Sequence, residues 1–298
     1  MPGGDRGSYP AIFKQGHTKK LKQARKGVES WHDVFPGLAP QILSWKKKGK
    51  SASLLIEHLS GNTFEQIVLN ESTETLNDVL QELKNTLHSV WTETLADKPV
   101  SAEFMRQLDK RISDVYAVHP EFHDSLQVIC GHKVPSFDSL AAKAAEIETG
   151  LQAPFSVYIH GDFNIDNLIY DADNRQIRYV DLHRSRYMDY VQDVSVFMVS
   201  NYRLQVLDPL VRRRIAAVIC NFYRIAAEFA ANNKDSTFEL RLAFGLVRSL
   251  ATSTRFILDR DLARGMFLRA RYLLERIVSL EPAAYEDYRV PVEEIFCG

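Results

Sequence analysis

The chain is poor in cysteine and lacks any long hydrophobic run. Its three cysteines, Cys130, Cys220 and Cys297, are far apart and form no CxxC pair, which argues against a disulfide scaffold or a zinc knuckle. No uncharged apolar stretch approaches the eighteen or so residues that span a bilayer, and the first residues lack the apolar core of a signal peptide. We therefore expect a soluble cytoplasmic protein that makes no membrane contact.

The charge is also nearly balanced. The formal net charge is -1 over 298 residues, of which 25% are charged and 45% hydrophobic. This composition is that of an ordinary globular protein, and it gives no general preference for nucleic acid or anionic membranes. A chain of this length can bury a large core, either as one bilobal unit or as two small domains.

The N-terminal third combines strand-like runs with one helix. Residues 11–13 form a short apolar run that ends at Lys14, and apolar residues then recur at steps of three and four over residues 18–35, which predicts an amphipathic helix. Residues 41–45 and 52–59 are strand-like and are separated by a basic turn. The break at Ser60-Gly61-Asn62 predicts a boundary between two lobes.

The remainder is mostly helical by its periodicity, with one short β insert. Long helical patterns cover residues 76–90, 104–116 and, with breaks, 189–280. Between them, residues 155–182 contain three short β-type runs, the last two joined by a turn at residues 171–174. We expect a small lobe of strands plus one helix, followed by a larger helical lobe.

The β insert carries the most informative motif, the octapeptide His160-Gly161-Asp162-Phe163-Asn164-Ile165-Asp166-Asn167, with Asp181 fourteen residues beyond it. An aspartate, an asparagine five residues later and a second aspartate are the groups needed to deprotonate a hydroxyl and hold Mg·ATP. In phosphoryl transfer the protein mostly positions the reactants and neutralises charge, so a few oxygen ligands carry most of the chemistry.

These residues resemble the HGDxxxxN catalytic loop and the metal-binding aspartate of the aminoglycoside phosphotransferase and choline kinase superfamily, small-molecule relatives of protein kinases. The resemblance covers nearly the whole chain. It implies an α+β, protein-kinase-like bilobal fold with a small β-rich N-terminal nucleotide-binding lobe, residues 1–60, and a large, mostly helical catalytic and acceptor-binding lobe, residues 61–298. Only thirteen residues precede Lys14, so the phosphate-covering hairpin is expected to be truncated.

The resemblance assigns roles to the motif residues. Asp162 is the predicted catalytic base, because a carboxylate aligns an alcohol and accepts its proton. Asn167 and Asp181 are the predicted Mg²⁺ ligands, since this cation favours one or two carboxylates plus phosphate oxygens. His160 is expected to support the catalytic loop. The alternative is that Asn167 caps a turn and Asp181 ends a strand. Three further acidic residues are assigned to solvated turns: Asp166, Asp171 and Asp173.

Further nucleotide contacts follow from the same resemblance. Lys14 at its strand end is expected to grip the phosphates, fixed by an ion pair with Glu29 in the following helix. The alternative is a surface lysine, with Glu29 paired to Arg25 four residues before it. Backbone groups of Glu57, His58 and Leu59 are expected to meet the adenine edge. Asp193 is expected to open a helix and hold the catalytic loop, or to act as a plain N-cap.

The acceptor pocket is expected among the C-terminal helices. Residues 203–276 contain thirteen arginines against seven Asp and Glu, which argues against a polycationic aminoglycoside and for an anionic or neutral hydroxyl compound. Arg248, Thr252 and Arg255 share one helix face and are candidate acceptor-binding residues. The alternative is that these arginines are solvated and paired with neighbouring carboxylates.

The sequence thus predicts an ATP- and Mg²⁺-dependent phosphotransferase that moves the γ-phosphate to a hydroxyl of a small molecule. Its partners would be the nucleotide and the acceptor, with no nucleic acid, membrane or obligate protein partner. Two alternatives stay open: a nucleotide-binding pseudokinase, and an atypical kinase that phosphorylates protein Ser or Thr.

Overall fold

The computed structural model describes residues 10–123, 127–129 and 132–297. In chain order its strands are β1 (Ala11–His17), β2 (Ile42–Lys48), β3 (Ser51–Glu57), β4 (Asn62–Thr63), β5 (Gln127–Ile129), β6 (His132–Val134), β7 (Val157–Ile159), β8 (Leu168–Asp171), β9 (Gln176–Tyr179) and β10 (Arg186–Met188). Its helices are α1 (Thr18–Val34), α2 (Phe64–Asn70), α3 (Thr73–Glu93), α4 (Phe104–Val118), α5 (Phe137–Glu148), α6 (Val191–Tyr202), α7 (Pro209–Asn232), α8 (Phe238–Ser253), α9 (Arg260–Val278) and α10 (Val292–Phe296). The segment in which a truncated phosphate-covering hairpin was expected lies outside the described residues, except for its last few positions.

The chain divides into two compact units that do not follow the boundary expected at residue 60. The first contains residues up to Val90 together with His160–Arg186, and the second contains Trp91–Ile159 and the residues from Tyr187 onwards. The motif segment joins the first unit because the two-residue strand β4 pairs with β8, which continues into the β8–β9 hairpin. Pairing between segments a hundred residues apart therefore sets this division.

The first unit begins with an antiparallel sheet in the order β1-β3-β2. Strand β3 alternates between buried and less buried residues, with Ala52, Leu54 and Ile56 inside, as a strand with one face on a core should. Lys14 pairs with Leu54 in the middle of β1. This corrects the expectation that Lys14 ends its strand, because the polar residues after it continue the pairing.

Helix α1 confirms the predicted amphipathic helix almost to the residue. Leu21, Val28 and Trp31 belong to its buried face, and their spacings of seven and three residues place them on one side of a helix. Gly27 belongs to the same face and allows an unusually close approach. A Cβ atom at Gly27 would lie 2.0 Å from the backbone oxygen of Leu182, the residue after Asp181. Helix α1 therefore lies directly against the segment that carries the candidate metal ligand.

The second unit is built from helices around a deeply buried α6. All twelve residues of α6 are buried, which is typical of a helix surrounded by other elements. The predicted breaks between α7, α8 and α9 are confirmed, and Asp208 and Asp259 accept hydrogen bonds from the first-turn N–H groups of α7 and α9. Helix α5 and the short β5–β6 hairpin were not predicted. The α+β class is confirmed.

One buried charge cluster lies in the second unit. The guanidinium of Arg241 pairs with the carboxylates of Asp189 and Asp235, and Tyr190 donates a hydrogen bond to Asp235. Burial raises the pKa of Asp189 to about 6, although Arg241 opposes this shift. Removing one partner of such a cluster leaves an uncompensated buried charge, so it fixes how α8 packs beside the start of α6.

Within the described residues, no helix combines the length and the apolar character that crossing a membrane requires.

Replacing Gly27 by alanine is expected to destabilise the first unit. The new methyl group would meet a backbone carbonyl that cannot rotate away, and overpacking of this kind costs about 1–3 kcal/mol. We expect the urea midpoint and the melting temperature of Gly27→Ala to fall. Gly265→Ala is the matched control, because Gly265 is also helical and its Cβ would meet only the end of the Arg269 side chain. Equal stability of both variants would contradict the close contact.

Candidate active site

Asp162 lies in the loop after β7 and is held from several sides. Asn164 donates to its Oδ1 at 3.1 Å, and the guanidinium of Arg184 approaches the same oxygen at 3.0 Å. The Asp162 side chain is 20% exposed. Both bonds engage the same carboxylate oxygen, Oδ1. Gly161 has φ +81°, and a side chain there would collide with the Arg184 carbonyl, so the turn before Asp162 requires glycine.

His160 joins this loop to the strand that leads to Asp181. Its Nδ1 accepts a hydrogen bond from the Asp162 N–H at 3.3 Å, so its Nε2 carries the proton and donates to the Val180 carbonyl at 2.9 Å. Burial lowers the pKa of His160 to about 4. The ring is therefore neutral near pH 7, and hydrogen bonds engage both of its nitrogens, which suits the supporting role predicted for it and leaves neither nitrogen for a metal ion.

An aromatic cluster packs against His160. Tyr179 makes edge-to-face contacts with Trp31, His160 and Phe163 at centroid distances of 5.2–5.6 Å. Trp31 also donates to the Ser185 hydroxyl at 2.7 Å, and that hydroxyl donates to the His160 carbonyl. Buried aromatic pairs of this geometry add to the hydrophobic gain. Helix α1 and the catalytic loop thus share one core.

Asn167 and Asp181 are brought together by the β8–β9 hairpin. Leu168 pairs with Tyr179, and the Val180 N–H donates to the Asn167 carbonyl at 3.0 Å. The side-chain nitrogen of Asn167 donates to the Asp162 carbonyl at 2.9 Å. That bond orients the amide and leaves Oδ1 as its oxygen acceptor. Asn167 therefore connects the candidate base to the candidate metal ligand.

Asp181 adopts a left-handed backbone conformation, φ +61°, which aspartate tolerates better than most residues. Its carboxylate lies 3.5 Å from His183 Nδ1 and 3.9 Å from Lys14 Nζ. The interaction with His183, with a smaller contribution from Lys14, lowers the pKa of Asp181 to about 2. Its side chain is 47% exposed. Asp181 is thus a fully ionised and accessible carboxylate at neutral pH.

The predicted ion pair between Lys14 and Glu29 is absent from the described residues. Glu29 instead pairs with Arg25 at 2.7 Å, four residues earlier on the same helix, which is the alternative considered above. Lys14 faces Asp181. The structure therefore brings the candidate phosphate-gripping lysine to the candidate metal ligand, and leaves Glu29 outside this group.

The segment predicted to meet the adenine edge is partly committed to the sheet. The N–H of Glu57 donates to the Gln41 carbonyl, and the N–H of His58 donates to the Pro10 carbonyl. The Glu57 carboxylate forms a bidentate pair with Arg178 at 2.9 Å, which lowers the pKa of Glu57. The backbone N–H groups of Glu57 and His58 are therefore engaged, and the prediction for the backbone groups of residues 57–59 stays a prediction. Leu59 makes no hydrogen bond with the part of the chain that the structure describes.

A family model, APH, described as a phosphotransferase enzyme family, matches residues 24–229. The match spans more than half of the chain and includes Asp162, Asn167 and Asp181. The chain belongs to the phosphotransferase enzyme family. It is therefore a kinase-type phosphotransferase, and the protein-kinase-like fold class predicted from the sequence is confirmed.

Two solved structures resemble this family member. An aminoglycoside-3'-phosphotransferase of type VIII matches 81% of this chain and 85% of its own, with 17% identity and a TM-score of 0.49. An ethanolamine kinase of Plasmodium vivax matches 92% of this chain and 77% of its own, with 12% identity and a TM-score of 0.42. A comparison with curated proteins found no match. These likenesses do not identify the acceptor.

The residues predicted to bind the acceptor do not form an open clamp in this phosphotransferase. Arg248 and Thr252 are 7% and 5% exposed, and the Arg248 guanidinium contacts Ser195 and the ring of Phe104. Arg255 donates to the Thr252 carbonyl. Arg248 and Thr252 point into the second unit because α4 and α6 pack against α8, whereas Arg255 lies beyond the end of α8. Asp193, the other predicted supporting residue, lies buried in the first turn of α6.

A cavity of about 850 Å³ lies between α4 and α5 in the second unit. Its walls are largely apolar, and its floor includes Glu148, whose carboxylate accepts hydrogen bonds from the Phe104 and Met105 N–H groups. Burial raises the pKa of Glu148. The carboxylate therefore caps α4, a role that the sequence did not indicate. None of the predicted acceptor residues lines this cavity.

The sequence prediction missed two basic residues that adjoin the site. Arg184 pairs with Asp162, and His183 pairs with Asp181, whose hydrogen bond and charge raise the pKa of His183. Both follow Asp181 directly in the chain. Their position directly after a candidate metal ligand could have indicated that they adjoin the site. The direction of their side chains depends on the turn at residues 182–185, which the sequence pattern did not predict.

The pKa of His160 predicts a specific loss of stability in acid. Between about pH 6.5 and 4 the unfolded chain binds a proton at this histidine and the folded chain does not, so stability falls as the pH falls through this window, by about 2–3 kcal/mol at pH 4.5. Urea unfolding of the wild type and of His160→Gln at pH 7.5 and pH 4.5 measures this. The loss should be smaller in His160→Gln, and equal losses would contradict a neutral, buried His160.

Proposed function

We propose that this protein transfers the γ-phosphate of ATP to a hydroxyl group of a small molecule. The observation that carries this proposal is the position of Lys14 Nζ, 3.9 Å from Asp181, in the unit that also holds Asp162 and Asn167. One cationic group, two carboxylates and an amide oxygen are the set that nucleotide phosphates and an alcohol require. Membership of the phosphotransferase family supports the same chemistry.

Asp162 is the proposed base. Arg184 and Asn164 hold its Oδ1, so its second oxygen can accept the proton of an acceptor hydroxyl. As that proton moves to Asp162, the hydroxyl oxygen forms a bond to the γ-phosphorus, and the bond between this phosphorus and the ADP oxygen breaks. The carboxylate is fixed before the substrate arrives, so little reorganisation is needed during the reaction.

Asp181 and Asn167 are the proposed Mg²⁺ ligands. Asp181 offers an ionised, accessible carboxylate, and Asn167 offers the amide oxygen that its bond to Asp162 leaves over. In the described part of the chain no three His, Cys, Asp or Glu gather into a cage, so the cation would be held jointly with phosphate oxygens, as Mg²⁺ often is. When bound, Mg²⁺ would neutralise charge on the phosphates.

Lys14 is proposed to exchange partners during nucleotide binding. Its pairing with Asp181 is loose and the lysine side chain is 38% exposed, so little free energy opposes its release. The ammonium can then contact phosphate oxygens while staying near Asp181. The Glu29 carboxylate, held by Arg25, has no part in this step as the structure stands.

The acceptor is proposed only as a small molecule with a hydroxyl. The excess of arginine over residues 203–276 favours an anionic or neutral compound, but the two residues of the predicted clamp that lie in α8 are buried. An acceptor screen should therefore start from neutral and anionic alcohols, with a polycationic aminoglycoside as the comparison.

Substituting the carboxylates tests the proposal. Asp162→Asn should lower the rate of phosphate transfer by about 10²–10⁴-fold, because the amide cannot accept the proton. Asp181→Asn should abolish the rise in melting temperature that millimolar Mg·ATP produces in the wild type, a stabilisation of about 2 kcal/mol for a dissociation constant near 0.1 mM. Asparagine keeps the left-handed backbone accessible.

Asp173→Asn is the matched control. Asp173 lies exposed in the β8–β9 turn, so the variant makes the same charge change in the same hairpin. It should retain transfer and the Mg·ATP response. A wild-type response without phosphate transfer to any acceptor would indicate a nucleotide-binding pseudokinase. With ATP labelled at its γ-phosphate, transfer of the labelled phosphate to the protein itself would indicate the protein-kinase alternative. Retained transfer in Asp162→Asn and Asp181→Asn would contradict the assigned roles.

A further inference from the structure

Positive charge is concentrated in one part of the chain. Residues 14–50 contain ten Lys and Arg against two Asp and Glu, although the whole chain has a net charge of -1. The remainder is therefore acidic on balance. Five of these cations lie on α1 and four lie on β2 and the turn that follows it. Because α1 and β2 line a common cleft, part of this charge forms a local basic surface.

Part of this surface is concave. A cleft of about 340 Å³ lies between α1 and β2, and it contains neither Lys14 nor Asp181. Its lining includes four cationic side chains, one carboxylate and one indole: Lys22, Arg25, Lys26, Lys47, Glu29 and Trp45. Lysines whose only role is to keep a surface hydrated can lie on an open surface, so a concave arrangement of cationic side chains favours a binding site.

Arg25 is held in position inside this α1–β2 cleft. Its guanidinium pairs with Glu29 at 2.7 Å and lies over the Trp45 ring at 5.5 Å from the centroid. Among the described residues no carboxylate pairs with Lys22, Lys26 or Lys47. The cleft thus offers one oriented guanidinium and three ammonium groups against a single carboxylate. Such a set binds anionic oxygens by charge-assisted hydrogen bonds.

We propose that the α1–β2 cleft binds a small molecule carrying two or more phosphate groups. The surplus of cations matches several negative charges, and Trp45 supplies a flat apolar wall for the body of the ligand. The volume suits a compact molecule, whereas a nucleic acid strand needs a groove that continues over several nucleotides. The site is separate from Lys14, Asp162 and Asp181, so it does not depend on the proposed function.

Tryptophan fluorescence gives a direct test. The chain has three tryptophans, of which Trp31 and Trp91 are each 1% exposed, while Trp45 is partly exposed and borders the cleft. Titration with inorganic tripolyphosphate, without Mg²⁺ and at physiological salt, should change the emission with saturation. Trp45→Phe should remove the signal, and calorimetry should show that it still binds. The signal should persist in Lys14→Met, which excludes the nucleotide site as its source.

A pair of triple variants separates the cleft from diffuse charge. Trp45 and Lys47 share one face of β2 because side chains alternate along a strand, whereas Lys46 and Lys48 lie on the other face. Lys22→Gln/Lys26→Gln/Lys47→Gln should therefore weaken tripolyphosphate binding about tenfold or more. Lys46→Gln/Lys48→Gln/Lys50→Gln removes the same charge from the same segment. It should change the affinity by about twofold at most, since salt screens distant charges.

Several outcomes would overturn the proposal. Equal weakening by the two triple variants would mean that tripolyphosphate binds the basic segment without a defined site. Absence of any saturable binding in the wild type would also refute it. Cosedimentation with phosphatidylserine-containing vesicles is the third arm. Vesicle binding without tripolyphosphate binding would assign the basic surface to a membrane instead. Thermal melts of both variants, expected to match the wild type, show that the substitutions leave the fold intact.

Discussion

The imidazole of His160 is the constraint on which the candidate site depends. One ring nitrogen accepts from the Asp162 backbone and the other donates to the Val180 carbonyl, so a single buried ring sets the distance between the catalytic loop and the strand before Asp181. Only the neutral tautomer with its proton on Nε2 makes both bonds. Burial favours that neutral form. A charged or differently protonated ring would break one of the two connections.

The charged groups of the site are held more loosely than its backbone. Lys14, Asp181 and Arg184 are each between 38% and 50% exposed, and exposed ion pairs contribute little stability. The backbone that carries these side chains is stabilised by the aromatic cluster around Tyr179 and by the β8–β9 hairpin. This combination suits the proposed phosphoryl transfer, because a rigid frame would position side chains that are free to exchange partners when a nucleotide binds.

Local signals in the sequence predicted most of the elements. Helices α1, α7 and α9 each have one apolar face, so their helical periodicity was found. Helix α5 was missed because its buried face consists of only a few residues, among them Phe137, Leu140 and Ala144. The two compact units do not coincide with the predicted lobes, and the two-residue strand β4, which pairs with a distant strand, lies in the unit that contains the motif segment.

The sequence indicated which residues belong to the candidate site, but it did not fully determine which side chains pair with each other. The octapeptide and Asp181 indicated the candidate catalytic loop, because their chemistry and spacing can be read from the sequence alone. The partner of Glu29 was a competition between Arg25, one helical turn away, and Lys14 on another element. Arg25 is the observed partner, as short-range geometry favours. The orientation of Arg184 and the burial of Arg248 depend on tertiary packing, which no local pattern encodes.

The glycine contact between α1 and Leu182 has a mechanical consequence. Ordinary helix packing interposes side chains that can change rotamer and absorb a small displacement, but here backbone meets backbone at Gly27. A shift of α1 by a fraction of an ångström must therefore be passed on to the segment that begins at Asp181. The other side of helix α1 carries Lys22, Arg25 and Lys26, which line the α1–β2 cleft. The α1–β2 cleft and the candidate metal ligand Asp181 therefore lie on two sides of one helix, with no side chain between that helix and Leu182 at Gly27.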